Sequence, residues 1–213
     1  MILRPAIMAT AAVAPPVLFS RLYDVAPYQR LLLEWIAGLG LAPDAALLEV
    51  GCGPGRLCHD LSKTGYQVWG ADRSARMIRA ARRNGLKAAR TVTADALDLP
   101  FAAGRFDAVV SASLINVVGD APGLLAELVR VTRPAGTVSC LFPAPRLRDL
   151  APRAEETFST LGLVDRELVT TWARLSRKLE AETVCDWMRA SGLRDLTVQS
   201  FWGGRLLSVA GKT

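Results

Sequence analysis

Read from the amino terminus, apolar residues recur at helical spacing before they gather into short runs. Val17 to Leu39 is helix-prone and predicts one interruption, at Pro27. Its later half stacks Leu31, Trp35 and Leu39 four residues apart, with Leu32 and Ile36 alongside, as an amphipathic helix docked on a core requires. The pattern then changes. Ala46 to Val50 is apolar apart from Glu49, the length and character of a parallel strand covered on both faces. Further strands are predicted at 67–71, 89–94, 106–111 and 137–142, alternating with helices at 56–64, 75–84 (Ser74 as N-cap, Gly85 as stop) and from Asp120 or Pro122 to Val131. Residues 143–178 show only two weak amphipathic stretches. After a helix at 182–190, strands at 196–201 and 206–210 are joined through Trp202-Gly203-Gly204-Arg205 and read as an antiparallel hairpin. The fold class is therefore α/β: a Rossmann-like doubly wound sheet of seven strands, with helices on both faces and a C-terminal antiparallel hairpin.

Directly after Val50 comes Gly51-Cys52-Gly53-Pro54-Gly55, three glycines at alternate positions, with a helix predicted from Arg56. Residues without Cβ let the chain turn sharply and a ligand approach the backbone, while the free N–H groups of the helix start face the turn. Alone, a glycine turn after a strand is a generic feature. In a doubly wound sheet, however, ligands bind at the carboxyl ends of the strands, where the strand order reverses. Asp72 closes the second strand, placed for ribose hydroxyls, and Asp95 closes the third, placed for a base amino group. Phe106-Asp107 opens the fourth strand and Ser111 closes it.

These pieces resemble a class I S-adenosylmethionine-dependent methyltransferase of the small-molecule type that includes ubiquinone and menaquinone C-methyltransferases. The resemblance runs from about Tyr23 to the C-terminus. It rests on Glu49-Val50-Gly51-Cys52-Gly53-Pro54-Gly55, Gly70-Ala71-Asp72-Arg73-Ser74 with Met77, Asp95-Ala96, Phe106-Asp107, and Arg133-Pro134-Ala135-Gly136. It implies S-adenosylmethionine as cofactor. Gly51, Cys52, Gly53 and Gly55 would line its methionine part above Glu49, and Asp72 would hold the ribose. Arg73 and Met77 would flank the adenine, Asp95 and Ala96 would meet its amino edge, and Ser111 would lie beside the sulfonium. Ala135 stands where relatives carry glycine, and Asn116 where many carry histidine. The absence of an Asn/Asp-Pro-Pro-Tyr motif argues against methylation of exocyclic amines on DNA bases.

The implied activity is methyl transfer to a small-molecule acceptor through an N, O, S or activated C nucleophile, by in-line displacement. Such a reaction needs alignment above all, and a general base only for a nucleophile that arrives protonated with a high pKa. No catalytic residue is assigned; Tyr23 and Asn116 are the candidates for orienting substrate, and His59 is read as structural. Residues 1–40 are expected to form an N-terminal extension and lid helices, and 41–213 the methyltransferase domain, with 143–178 a substrate-cap insertion. Trp172, Phe158 and Arg174 are candidate cap residues, and Tyr28 a pocket residue.

The net charge of +6 comes from 26 Lys and Arg against 20 Asp and Glu. The string Arg73, Arg76, Arg79, Arg82, Arg83, Lys87 and Arg90 winds around several faces of its helix, which favours a solvated surface over a nucleic-acid groove. Alternatives are an enzyme acting on RNA or a phospholipid headgroup, and a protein of this fold using the cofactor for other chemistry or regulation. Nucleic acid is disfavoured as a partner, a membrane surface is open but not favoured, and oligomeric state is not read. One histidine and four cysteines without a Cys-x-x-Cys pair offer no metal site. The cysteines suit a reducing cytoplasm. The apolar Ala6–Ala14 segment after Arg4 mimics a signal peptide, but Pro5 and Pro15-Pro16 disfavour cleavage, and it is read as part of the extension.

Overall fold

The computed structural model describes residues 15–152 and 155–213, so the segment resembling a signal peptide lies outside the described residues. Seven strands form one sheet: β1 (Ala46–Val50), β2 (Gln67–Asp72), β3 (Thr91–Thr93), β4 (Phe106–Ala112), β5 (Thr132–Pro143), β6 (Arg194–Phe201) and β7 (Leu206–Lys212). Their order is β3-β2-β1-β4-β5-β7-β6. The first five run parallel, and β7 lies antiparallel between β5 and β6. The expected sheet and closing hairpin are both present.

The helices are α1 (Pro15–Tyr23), α2 (Ala26–Ala37), α3 (Arg56–Lys63), α4 (Ala75–Arg83), α5 (Ala121–Val131), α6 (Leu163–Leu175) and α7 (Ala181–Ala190). Two hydrophobic clusters cover the two faces of the sheet. Leu47 enters one with Trp35, Ile36 and Leu57, whereas Leu48 and Val50 enter the other with Leu124, Leu128 and Met188. Alternate side chains of β1 thus meet helices on opposite faces, so the strand needs no polar positions. Glu49 shares the Leu47 face, which is why its carboxylate is buried.

Three local differences from the sequence reading have physical causes. The break expected at Pro27 falls at Asp24-Val25, because Pro27 lies in the first turn of α2, where its missing N–H removes no helical bond. Strand β3 is shorter than the expected 89–94. Ala88–Arg90 closes into a 3-10 turn, and Arg82 donates to both the hydroxyl and the carbonyl of Thr91. Strand β5 takes in the Arg133–Gly136 turn, with an irregular register between Phe106 and Ala108.

Between β5 and α7, 3-10 turns at Pro145–Asp149 and Glu156–Phe158 precede α6. Aromatic contacts join this region to α2 and the hairpin. Tyr28 meets Trp172 at 5.4 Å between ring centroids, and Phe158 meets Trp202 at 4.9 Å. Arg21 of α1 pairs with Asp165 of α6 at 2.8 Å. Among the described residues, no helix is long and apolar enough to cross a membrane.

Candidate active site

At the end of β1 the backbone turns through Gly51, Gly53 and Gly55 at φ of 77°, 52° and 70°. Three left-handed positions in five residues explain the alternating glycines. The turn is strapped to β2 by the N–H groups of Gly51 and Cys52, which both donate to the Ala71 carbonyl at 2.8 and 3.0 Å. Asp72 continues the strap. Its Oδ2 accepts the Gly53 N–H at 2.9 Å, and its Oδ1 accepts the Ser74 N–H at 2.8 Å. Ser74 in turn caps α4, its hydroxyl accepting from the Met77 N–H.

A cavity of about 400 Å³ opens over this turn, lined by Glu49, Gly51, Gly53 and Asp72 at the strand ends and by Tyr28 of α2 and Trp172 of α6. A second cavity of about 180 Å³ reaches Asp95 and Ala96 at the end of β3. Gly51, Asp72, Arg73, Leu114 and Val117 line both, so they are two lobes of one cleft. The cleft straddles the point where β1 pairs with β2 on one side and β4 on the other.

Most of the expected site residues meet here. Glu49, Gly51, Cys52, Gly53, Asp72, Arg73 and Met77 line the larger lobe, and Asp95 and Ala96 the smaller. Gly55 lies behind the wall, where a Cβ would come within 2.7 Å of the Ala81 Cβ; its small size lets α3 and α4 approach. Ser111 does not line the cleft. It is fully buried in β4 with its hydroxyl unpartnered, and the wall is made by Ala112 and Ser113 instead. Asn116 is likewise buried away from the wall, its side-chain oxygen unpartnered. Phe158 packs beneath Trp202, and Arg174 borders a separate shallow cavity. His59 packs against Gly85, outside the cleft.

Sequence reasoning missed Leu114 and Val117, which line both lobes. The signal available was their place in the loop after β4, beside the switch point. Ser113 enters that loop with a positive φ of 54°.

Glu49 is the unusual electrostatic feature. Burial raises its pKa to about 7, with the Cys58 thiol opposing by donating to Oε2 at 2.9 Å and the negative Asp72 adding to the rise. Tyr23 donates its hydroxyl to Asp60 at 2.9 Å, and desolvation together with that bond holds its proton firmly. Burial pushes the Tyr28 phenol up to about 12. Both tyrosines are therefore hydrogen-bonding groups rather than bases near neutral pH.

The Methyltransferase domain family matches residues 48–140, the stretch that carries the turn, Asp72 and Asp95. The chain is 38% identical over 125 residues to a demethylmenaquinone methyltransferase from Mycobacterium sp. (strain KMS), covering 58% of this chain and 53% of that protein. It is 34% identical over 172 residues to the demethylmenaquinone methyltransferase of Clavibacter sepedonicus, covering 74% of this chain and 69% of that one. The chain belongs to the class I S-adenosylmethionine-dependent methyltransferases. It spans about half the length of the Mycobacterium relative. The fold also matches that of a Mesorhizobium loti S-adenosylmethionine-dependent methyltransferase, with a TM-score of 0.63 at 20% identity over 84% of this chain and 97% of that one.

S-adenosylmethionine is the cofactor of the family, and the cleft fits it. A Cβ on Gly53 would meet nothing within 4 Å, so the backbone there is open to a ligand. The larger lobe falls in the roughly 300–1,000 Å³ range of small-molecule sites. Two carboxylates, Glu49 and Asp72, border it, as suits a molecule bearing an ammonium, a sulfonium and a ribose.

Proposed function

We propose that this chain transfers a methyl group from S-adenosylmethionine to a small-molecule acceptor. The observation that carries the proposal is the two-lobed cleft, which runs unbroken from the glycine turn across Asp72 to Asp95. On this reading Gly51, Cys52, Gly53 and Glu49 surround the amino-acid end of the cofactor. Asp72 receives the ribose hydroxyls, Arg73 and Met77 flank the base, and Asp95 and Ala96 meet its edge. Gly55 acts indirectly by shaping the turn.

When bound, the cofactor supplies a methyl group already activated by a positive sulfur. The residues of the chain then have to position the acceptor, exclude water and favour the charge pattern of the reaction. Tyr28, Leu32, Trp172 and Val117 give the acceptor end of the larger lobe an apolar wall. Tyr23, held by Asp60, presents no basic group to that end. The acceptor is therefore one whose electron pair is readily available: an amine, thiol, carboxylate, acidic phenol or activated carbon. The demethylmenaquinone methyltransferases among the chain's relatives add demethylmenaquinone to the compounds worth testing.

Residues 1–40 and 143–178 are read as the lid and cap. The support is the contact of Tyr28 with Trp172 and of Arg21 with Asp165, which ties the two segments together beside the cleft. The reading also places the enzyme in the cytoplasm, where the four free buried thiols would remain reduced.

Incubation with methyl-labelled cofactor and a panel of amines, thiols, phenols, demethylmenaquinone, RNA and phosphatidylethanolamine tests the proposal. Label on a small molecule is expected, with S-adenosylhomocysteine released. Label confined to RNA or lipid headgroup would overturn the acceptor class. Cofactor binding without turnover on any acceptor would favour a binding protein of the same fold.

A further inference from the structure

We infer that the α1–α4 side of the cleft mouth docks on an anionic lipid bilayer. Two kinds of exposed side chain meet there. Phe19 of α1 is 47% exposed and Val117 is 66% exposed, although both line the larger lobe. An aromatic ring and a branched aliphatic group at the edge of an opening match the apolar side of a membrane interface.

The second kind is cationic. The structure sorts the basic string that the sequence spreads over several faces. Arg82 turns in to Thr91, and Arg90 lies over the Trp69 ring at 4.9 Å. That leaves Lys87, beyond the end of α4, and four arginines, Arg73, Arg76, Arg79 and Arg83, spaced three, three and four residues apart along one face of α4 and its lead-in. All four are exposed, and none forms an ion pair among the described residues. Helix α1, which carries Phe19, packs directly on α4. A row of unpaired guanidinium groups therefore adjoins the apolar rim, with Arg73 in the cavity wall itself.

This pairing favours a bilayer over RNA. Phosphates satisfy arginines in either case, but a lipid surface also takes up Phe19 and Val117 beside them. Asp95 and Asp98 are both exposed acidic groups, and Asp95 lines the smaller lobe. Docked this way, the mouth faces the headgroup region, and an apolar acceptor enters the larger lobe without crossing water.

Flotation of the full chain with phosphatidylcholine vesicles, with and without phosphatidylglycerol, tests the inference. Retention on the anionic vesicles is expected, weakened by added salt. Each arginine brought to an anionic surface contributes roughly fivefold in partitioning. Arg76→Glu/Arg79→Glu/Arg83→Glu is therefore expected to lower retention by more than tenfold while cofactor affinity in a calorimeter stays unchanged. Phe19→Ser, at a half-exposed position, is expected to weaken vesicle binding without lowering the unfolding temperature. Equal retention on neutral vesicles, or variants that float like the parent chain, would overturn the inference. So would tight binding to a single-stranded RNA with none to vesicles. Vesicle binding by a chain that fails to bind cofactor would instead sink the methyltransferase reading and leave this one standing.

Discussion

The backbone N–H of Gly53 donates to Oδ2 of Asp72 at 2.9 Å. The acid proposed to hold the ribose therefore also fixes the shape of the glycine turn. Binding and preorganisation are lodged in one side chain, so its replacements are expected to separate them. Asp72→Asn keeps one oxygen for Gly53 but loses the negative charge, whereas Asp72→Ala frees both the Gly53 and Ser74 N–H groups. Hydrogen bonds to a charged group contribute about 1.5–3 kcal/mol each. Calorimetry should show cofactor affinity falling roughly 10- to 100-fold for Asp72→Asn and further for Asp72→Ala. Only the alanine variant should also unfold at a clearly lower temperature.

Glu49 predicts a pH dependence of opposite sign for stability and for cofactor binding. Burial raises its pKa from 4.5 to about 7, so between those values the folded state holds a proton that the unfolded state has released. Stability is then greatest at the acid end of that window and declines as pH rises through it, by about 3 kcal/mol at most from this group. A cationic ligand beside Glu49 favours the ionised form, so cofactor affinity should rise over the same interval with release of a proton. Denaturant titrations and calorimetry from pH 5 to 8, values chosen around that window, measure both. Glu49→Gln should flatten each slope.

Much of this site was legible because its pieces are contiguous in sequence. The apolar run before Gly51 gave both ends of β1, and Ser74 marked the start of α4 by its capping chemistry. Asp72 and Asp95 were found by their place after successive strands. The readings that shifted depend on contacts between distant segments. Ser111 lies one residue short of the wall because β4 continues through Ala112, and strand alternation turns its side chain into the core. The shortening of β3 needs Arg82, which reaches Thr91 from the preceding helix. The stripe on α4 emerges only after Arg82 and Arg90 are withdrawn from the basic string by contacts that no spacing rule encodes.

The indole of Trp35 donates to the Ser139 hydroxyl at 2.9 Å, deep between α2 and β5, and Ser139 passes a weaker bond to the Val209 carbonyl at 3.3 Å. Both side chains are fully buried. Ser139→Ala leaves the indole N–H without a partner, a change that costs about 1–3 kcal/mol. Thermal unfolding should report a loss of several degrees. In the double variant with Trp35→Phe the orphaned donor is gone, so the two losses should sum to more than the measured effect.

Ala135 offers the converse test, a substitution that should stabilise. The turn before the core of β5 holds this alanine at φ 59°, in the left-handed region. Its backbone is fixed there by the flanking chain: the Ala135 N–H donates to the Thr213 carbonyl at 3.3 Å, and the Thr213 N–H returns to Gly136 at 3.1 Å. An L side chain in that conformation costs about 1–2 kcal/mol, against which glycine loses about 0.4–1 kcal/mol through the greater freedom of the unfolded chain. Ala135→Gly is therefore expected to gain about 0.5–1 kcal/mol, or roughly 1–4 °C in unfolding temperature for a chain of this size. The turn lies at the amino-terminal end of the parallel strands, opposite the cleft at their carboxyl ends, since it opens β5 rather than closing it. Cofactor affinity should stay level as the unfolding temperature rises, and a lower unfolding temperature would show that the left-handed turn carries no strain.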